Sequence, residues 1–153
     1  MKFLRSLFGS KGSPKVSSKA IAGWTRLHEA ASMDELWEVE ELLDGGKADV
    51  NAIDRNGDTP LHAAARGCHR RVAELLLAKG AKIDARNFAG ETPLFAAASF
   101  NVRTGVTEVL LDGGADVNAK NVSGETPLRK ALRQNGGGGG DVAALLRQHG
   151  GHQ

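Results

Sequence analysis

The chain has 153 residues, of which 41% are hydrophobic, 25% charged and 5% aromatic, proportions ordinary for one soluble folded domain. Its formal charge of +2 is uneven: Lys2, Arg5, Lys11, Lys15 and Lys19 give the first twenty residues +5 without an acid, leaving −3 on residues 21–153, which argues against nucleic-acid binding by the folded body. A lone cysteine, Cys68, excludes an internal disulfide, and no apolar run reaches membrane-spanning length, so a cytoplasmic protein is expected.

Residues 1–19 read as a basic, flexible N-terminal tail. Phe3, Leu4, Leu7 and Phe8 share one helical face with Lys2 and Arg5 off it, a candidate short amphipathic helix through which residues 1–8 would contact an anionic membrane surface. For so short a stretch, packing on the first of the repeated units that follow and absence of fixed structure are the alternatives. Arg5 and the segment from Gly9 to Pro14 break what would otherwise look like a signal peptide.

From residue 20 the chain repeats itself. Thr25-Arg26-Leu27, Thr59-Pro60-Leu61, Thr92-Pro93-Leu94 and Thr126-Pro127-Leu128 follow one another at spacings of 34, 33 and 34 residues. A period near 33 predicts a stacked array in which each unit buries its apolar face against its neighbours. Every copy has a glycine two residues before the threonine (Gly23, Gly57, Gly90, Gly124), suited to a turn with positive φ. The threonine then caps a helix, and proline occupies its first position. Leucine and paired alanines, as in Leu61-His62-Ala63-Ala64-Ala65, make a short inner helix whose small side chains admit close neighbours. A second helix carries an apolar stripe (Val72, Leu75 and Leu76; Val106, Val109 and Leu110) and is closed by Gly80 or Gly114.

The ends depart from the pattern. The first copy has Arg26 for proline and Glu40 and Glu41 in its second helix, as expected where a stack meets water, and Trp37 there is expected to pack over the end. The last copy carries Arg129 in place of His62 and a glycine run from Gly136 to Gly140 between its helices. The run reads as a tolerated loop insertion, or as a phosphate-binding loop, although no P-loop lysine and serine follow it.

The phased series of Thr-Pro-Leu-His with Gly-Ala-Lys-Ile-Asp and Gly-Ala-Asp-Val-Asn resembles the ankyrin repeat family over residues 20–151. The resemblance implies an all-α solenoid of about four helix-turn-helix repeats, near 20–54, 55–87, 88–121 and 122–151, joined by short β-hairpin-like finger loops. It implies that His28 and His62 bond backbone across the turn and align adjacent repeats. It also implies a concave binding face of finger tips and inner helices, which carried onto this chain gives Trp24, Arg55, Asn56, Asp58, Arg66, Phe88, Ala89, Glu91, Phe100, Val122, Ser123 and Glu125 as candidate partner-binding residues. Asp58, Glu91 and Glu125 fall in one row and would form an acidic strip, or would stabilise helix N-termini. Phe88 would anchor a partner, or fold back on the neighbouring finger.

No residues combine into catalytic chemistry. Cys68 and His69 are adjacent without a third group to orient the histidine, and read as a junction cysteine and a backbone-bonding histidine. His149 and His152 lack cysteine or acidic companions for zinc. Arg66, Arg70 and Arg71 read as a solvated edge. The expectation is a monomeric, non-enzymatic module without metal or cofactor that binds a partner protein. The alternative is a peripheral membrane adaptor localised by its N-terminal tail.

Overall fold

The computed structural model describes residues 25–99, 103–134 and 140–153; the N-terminal tail, Trp24, Phe100 and most of the glycine run lie outside the described residues. Among the described residues eight helices alternate between two rows. The inner row comprises α1 (Arg26–Ser32), α3 (Pro60–Gly67), α5 (Pro93–Ala98) and α7 (Pro127–Gln134). The outer row comprises α2 (Leu36–Asp44), α4 (Arg70–Ala78), α6 (Gly105–Asp112) and α8 (Asp141–Gln148). Each inner helix packs on its outer partner and on the inner helices before and after it, and the outer helices stack likewise. The expected all-α repeat solenoid is therefore the fold.

The caps follow from the repeated residues. Thr25, Thr59 and Thr92 hold extended backbone and accept a hydrogen bond from the amide three residues on, and Thr126 does the same for Arg129. Ala63, Ala64 and Ala65 of α3 and Ala96, Ala97 and Ala98 of α5 are all buried where these inner helices pack, and Leu76, Leu110 and Leu146 of the outer helices are fully buried in the same core. Where the first copy has Arg26 instead of proline, the guanidinium reaches Glu38, which is buried at the place of Val72 one repeat later.

Each finger is a tight hairpin closed by one amide: Asp54 N–H donates to Asp58 O, Asn87 N–H to Glu91 O and Asn121 N–H to Glu125 O. The same three side chains accept from two amides inside their own loop, an Asx turn repeated at all three described fingers. Fingers then bond to each other, Phe88 N–H to Asn56 O and Val122 N–H to Ala89 O, both at 2.9 Å. This approach dictates the turn glycines. At Gly57 and Gly90 φ is +77° and +74°, and a Cβ would lie 2.9 Å from the Phe88 or Val122 amide of the next finger.

The histidines act as the resemblance implied. His62 Nε2–H donates to Glu91 O at 2.9 Å, so its Nδ1 accepts from the Thr59 hydroxyl and amide at 2.9 and 3.1 Å. His28 repeats the arrangement on Asp58 O at 2.8 Å. Both target carbonyls are the ones that close the next hairpin. In the third copy Phe95 is buried instead, with Lys130 5.8 Å from its ring centroid. On the opposite edge, Asn51 donates to Gly80 O and accepts from Lys82 N–H, and Asn118 does the same with Gly150 O and His152 N–H. Residues Gly150 to His152 thus close the last copy as the start of a next repeat would.

Burial pushes the His62 imidazole below its usual value, partly offset by the bond to Glu91. As pH falls below about 6.5 the unfolded chain takes up this proton before the folded one, so stability is lost. His62→Ala is expected to destabilise the stack by about 1–3 kcal/mol at pH 8. Urea titrations should show the gap to wild type narrowing as pH falls from 6.5. Cys68 ends α3 in the left-handed region, φ +57°, so Cys68→Gly should raise stability in urea titrations by up to about 1 kcal/mol.

Candidate functional site

The second and third fingers and the end of α3 enclose a groove of about 480 Å³, lined by Arg55, Asn56, Asp58, Arg66, Asn87, Phe88, Ala89 and Glu91. Seven of these are candidates from the sequence, which the inter-finger hydrogen bond brings side by side. Asn87 was missed because its side chain belongs to a turn; its place in the Asp54 and Asn121 series was the available signal.

An ion-pair network forms the floor. Arg66 donates to both carboxylate oxygens of Asp58, at 2.5 and 3.1 Å, and its Nη2 lies 4.0 Å from Glu91 Oε2. Asn87 Nδ2 bridges the acids, 2.9 Å from Asp58 and 3.3 Å from Glu91. Burial works to raise the Asp58 pKa, but the Arg66 and Asn87 hydrogen bonds outweigh it and hold the carboxyl below its usual value. Arg66, opposed by burial and favoured by Asp58, is held above its own.

These contacts correct the acidic strip. Asp58 is 3% exposed and turned into the floor, where it lines the groove beside Arg66 and Asn87. Glu125 is paired to Arg133 eight residues on, as Asp58 is to Arg66. The spacing carries each acid at a helix start back over the last turn of the same helix, where the arginine stands. Glu91, with Ser99 at that spacing, leans on Arg66 and Asn87. Asp58 and Glu125 are thus each paired to an arginine, and Glu91 shares Arg66 with Asp58.

The apolar candidates project. Phe88 is 69% exposed and Val122 74%, one finger apart, and neither is covered by its neighbour. Arg55, Asn56, Ala89 and Ser123 are exposed beside them. Val122, Ser123 and Glu125 lie on the next finger, outside the groove. Trp24 and Phe100 fall outside the described residues. Trp37, expected to be packed away, is 43% exposed on α2. His69 does bond backbone, Ser32 O of the preceding repeat at 3.0 Å, and burial raises the Cys68 thiol pKa away from reactivity. Among the described residues no cluster of His, Cys, Asp and Glu is arranged to hold a metal, and no helix is long and apolar enough to cross a membrane.

Residues 2–87 match the family of ankyrin repeats, in three copies, and residues 89–122 match a single ankyrin repeat. The chain belongs to the ankyrin repeat family. It is 43% identical over 81 residues to Neurogenic locus notch homolog protein 4 of Homo sapiens, and 46% over 80 residues to Ankyrin repeat domain-containing protein 17 of Mus musculus. To the Drosophila melanogaster Ankyrin repeat and KH domain-containing protein mask it is 40% identical over 82 residues. These stretches cover 52%, 51% and 52% of this chain but 4%, 3% and 2% of the relatives, which are far longer. Ankyrin repeats are generally protein–protein interaction modules and typically non-enzymatic.

The floor of this ankyrin groove has a measurable consequence. Arg66→Ala leaves a buried carboxylate short of its two-point partner and should lower stability by about 1–3 kcal/mol, with Arg66→Lys recovering only part. Arg133→Ala, at a more exposed pair, should stay within about 1 kcal/mol. Chemical denaturation of the three variants checks the order.

Proposed function

We propose that this ankyrin repeat protein is a non-enzymatic, monomeric, cytoplasmic module that binds a partner protein across its second and third fingers, with Phe88 and Val122 as anchors. The observation that carries the reading is the exposure of these two apolar side chains, 69% and 74%, on backbone held by hydrogen bonds to the preceding finger. Loop tips have no core to fill, and a fixed aromatic side chain loses little freedom on binding. Arg55 and Asn56, exposed at the groove rim, supply polar contacts around the anchor. With these charges paired in the floor and Arg55 at the rim, shape and apolar contact, more than charge, are the basis of selection.

Affinity capture from lysate with the wild-type chain identifies the retained protein, and titration of that protein then measures its affinity. Phe88→Ala with Val122→Ala should weaken binding at least about tenfold, a change of about 1.4 kcal/mol. The variant's circular dichroism should match wild type, and affinity should change little with salt. Unchanged affinity in the folded double variant rejects this face.

A further inference from the structure

The acids that precede the cap threonines are not all matched in the same way. In the second and fourth copies the residue eight places on is an arginine, and Asp58 and Glu125 are paired to Arg66 and Arg133. In the third copy Ser99 takes that place, and its hydroxyl donates to Phe95 O. Glu91 therefore has no arginine where its two counterparts have one. The guanidinium beside it, Arg66 of the preceding repeat, is committed to Asp58 through two bonds and stays 4.0 Å from Glu91 Oε2. Asn87 Nδ2 approaches the same oxygen at 3.3 Å. Among the described residues both contacts fall on Oε2, which leaves Oε1 to an incoming donor.

The backbone that carries this carboxylate is fixed. Glu91 N–H donates to Asn87 Oδ1 at 2.9 Å, and Glu91 O accepts from Asn87 N–H and His62 Nε2–H at 3.0 and 2.9 Å. The side chain is 26% exposed. Three carboxylates, Asp58, Glu91 and the buried Asp54, act on the single guanidinium of Arg66, so the floor keeps unmatched negative charge. Three residues before Glu91, Phe88 projects with 69% exposure, and both side chains line the same groove of about 480 Å³. An aromatic ring and a partly matched carboxylate in one cavity suit a planar cation on a long apolar stem. Such a group stacks on the ring and donates parallel N–H bonds to the carboxylate. A lysine matches the charge without the plane, and an acidic side chain meets repulsion.

Resting on the reading that a partner protein docks on these fingers, we propose that the groove between the second and third fingers is an arginine pocket, in which a protruding arginine of the partner stacks on Phe88 and pairs with Glu91. Asn87 holds the carboxylate from the side of the turn, and the bond of Arg66 to Asp58 keeps that guanidinium from closing on it. Arg55, the other base of the lining, is exposed at the rim, where water screens its charge. A single, partly buried pair is itself weakly screened, so the small salt dependence expected of the whole face stands.

The test titrates the full, isotope-labelled chain with acetylated and amidated Gly-Arg-Gly, Gly-Lys-Gly and Gly-Glu-Gly peptides and follows its amide resonances by NMR. The arginine peptide should bind saturably, with a Kd of about 1 mM or tighter, and move the Asn87 side-chain amide and the backbone amides of Phe88 to Glu91. The lysine peptide should bind more weakly and the glutamate peptide not at all. Glu91→Gln, and Ser99→Arg, which gives Glu91 the arginine its counterparts have, should each weaken the arginine peptide at least about fivefold in variants whose circular dichroism matches wild type. Absence of saturable binding, or unchanged affinity in the folded variants, overturns the proposal. Preference for the glutamate peptide assigns the groove to an anion and likewise overturns it. The captured partner separates the pocket from the face: if Phe88→Ala with Val122→Ala weakens it and Glu91→Gln does not, the face stands and the arginine pocket falls. If the arginine peptide depends on Glu91 while the Phe88 and Val122 double variant binds the partner as wild type does, the pocket stands and the docking face falls.

Discussion

A neutral imidazole bridging two repeats is the contact on which much of this stack turns. His62 Nδ1 accepts from the cap threonine of its own helix while Nε2–H donates to Glu91 O, the carbonyl that closes the next hairpin. One side chain thus ties a helix start to the following finger. A helix pair of this size cannot bury its apolar face alone, so each unit is stable only in register with the next. The Asn56 carbonyl and Phe88 amide, and Asn51 with Gly80 and Lys82, fasten two further points of the same junction.

This fastening separates scaffold from recognition. The backbone of every described finger is held by its Asx turn, by its own closing bond and, at Phe88 and Val122, by the finger before it. Side chains at the tips contribute nothing to that framework and are free to differ. Arg55, Phe88 and Val122 occupy one position in three copies without disturbing the hairpins. The acids before the threonines behave oppositely. Asp58 and Glu125 are drawn back onto arginines one helix length away, which consumes their charge within the repeat.

The first and last described copies depart from the middle ones in different ways. At the C-terminus, Gly150 and His152 give Asn118 the partners that Gly80 and Lys82 give Asn51, and Thr126 donates to His152 O at 2.8 Å. At the N-terminus the first copy replaces an apolar core residue with Glu38 and pairs it to Arg26, a polar substitution inside the otherwise apolar packing of the helix pair.

The period of the threonines, the alanine-rich inner helices and the stripe of Val72, Leu75 and Leu76 determined the solenoid before any coordinate was known, because these features act over one or two helical turns. His28 and His62 were legible for the same reason, as members of a repeated motif. Whether Phe88 projects or folds back on the neighbouring finger was left open by the sequence, and the stacked fingers leave it 69% exposed. What the sequence did not determine was which groups neutralise one another. Asp58 and Arg66 are eight residues apart, and Asn87 reaches Asp58 from the next repeat. Only the stacking of one finger on another brings these three together, and it is that long-range juxtaposition, set by packing and not by local pattern, that turned an expected acidic strip into the ion-paired floor of a groove.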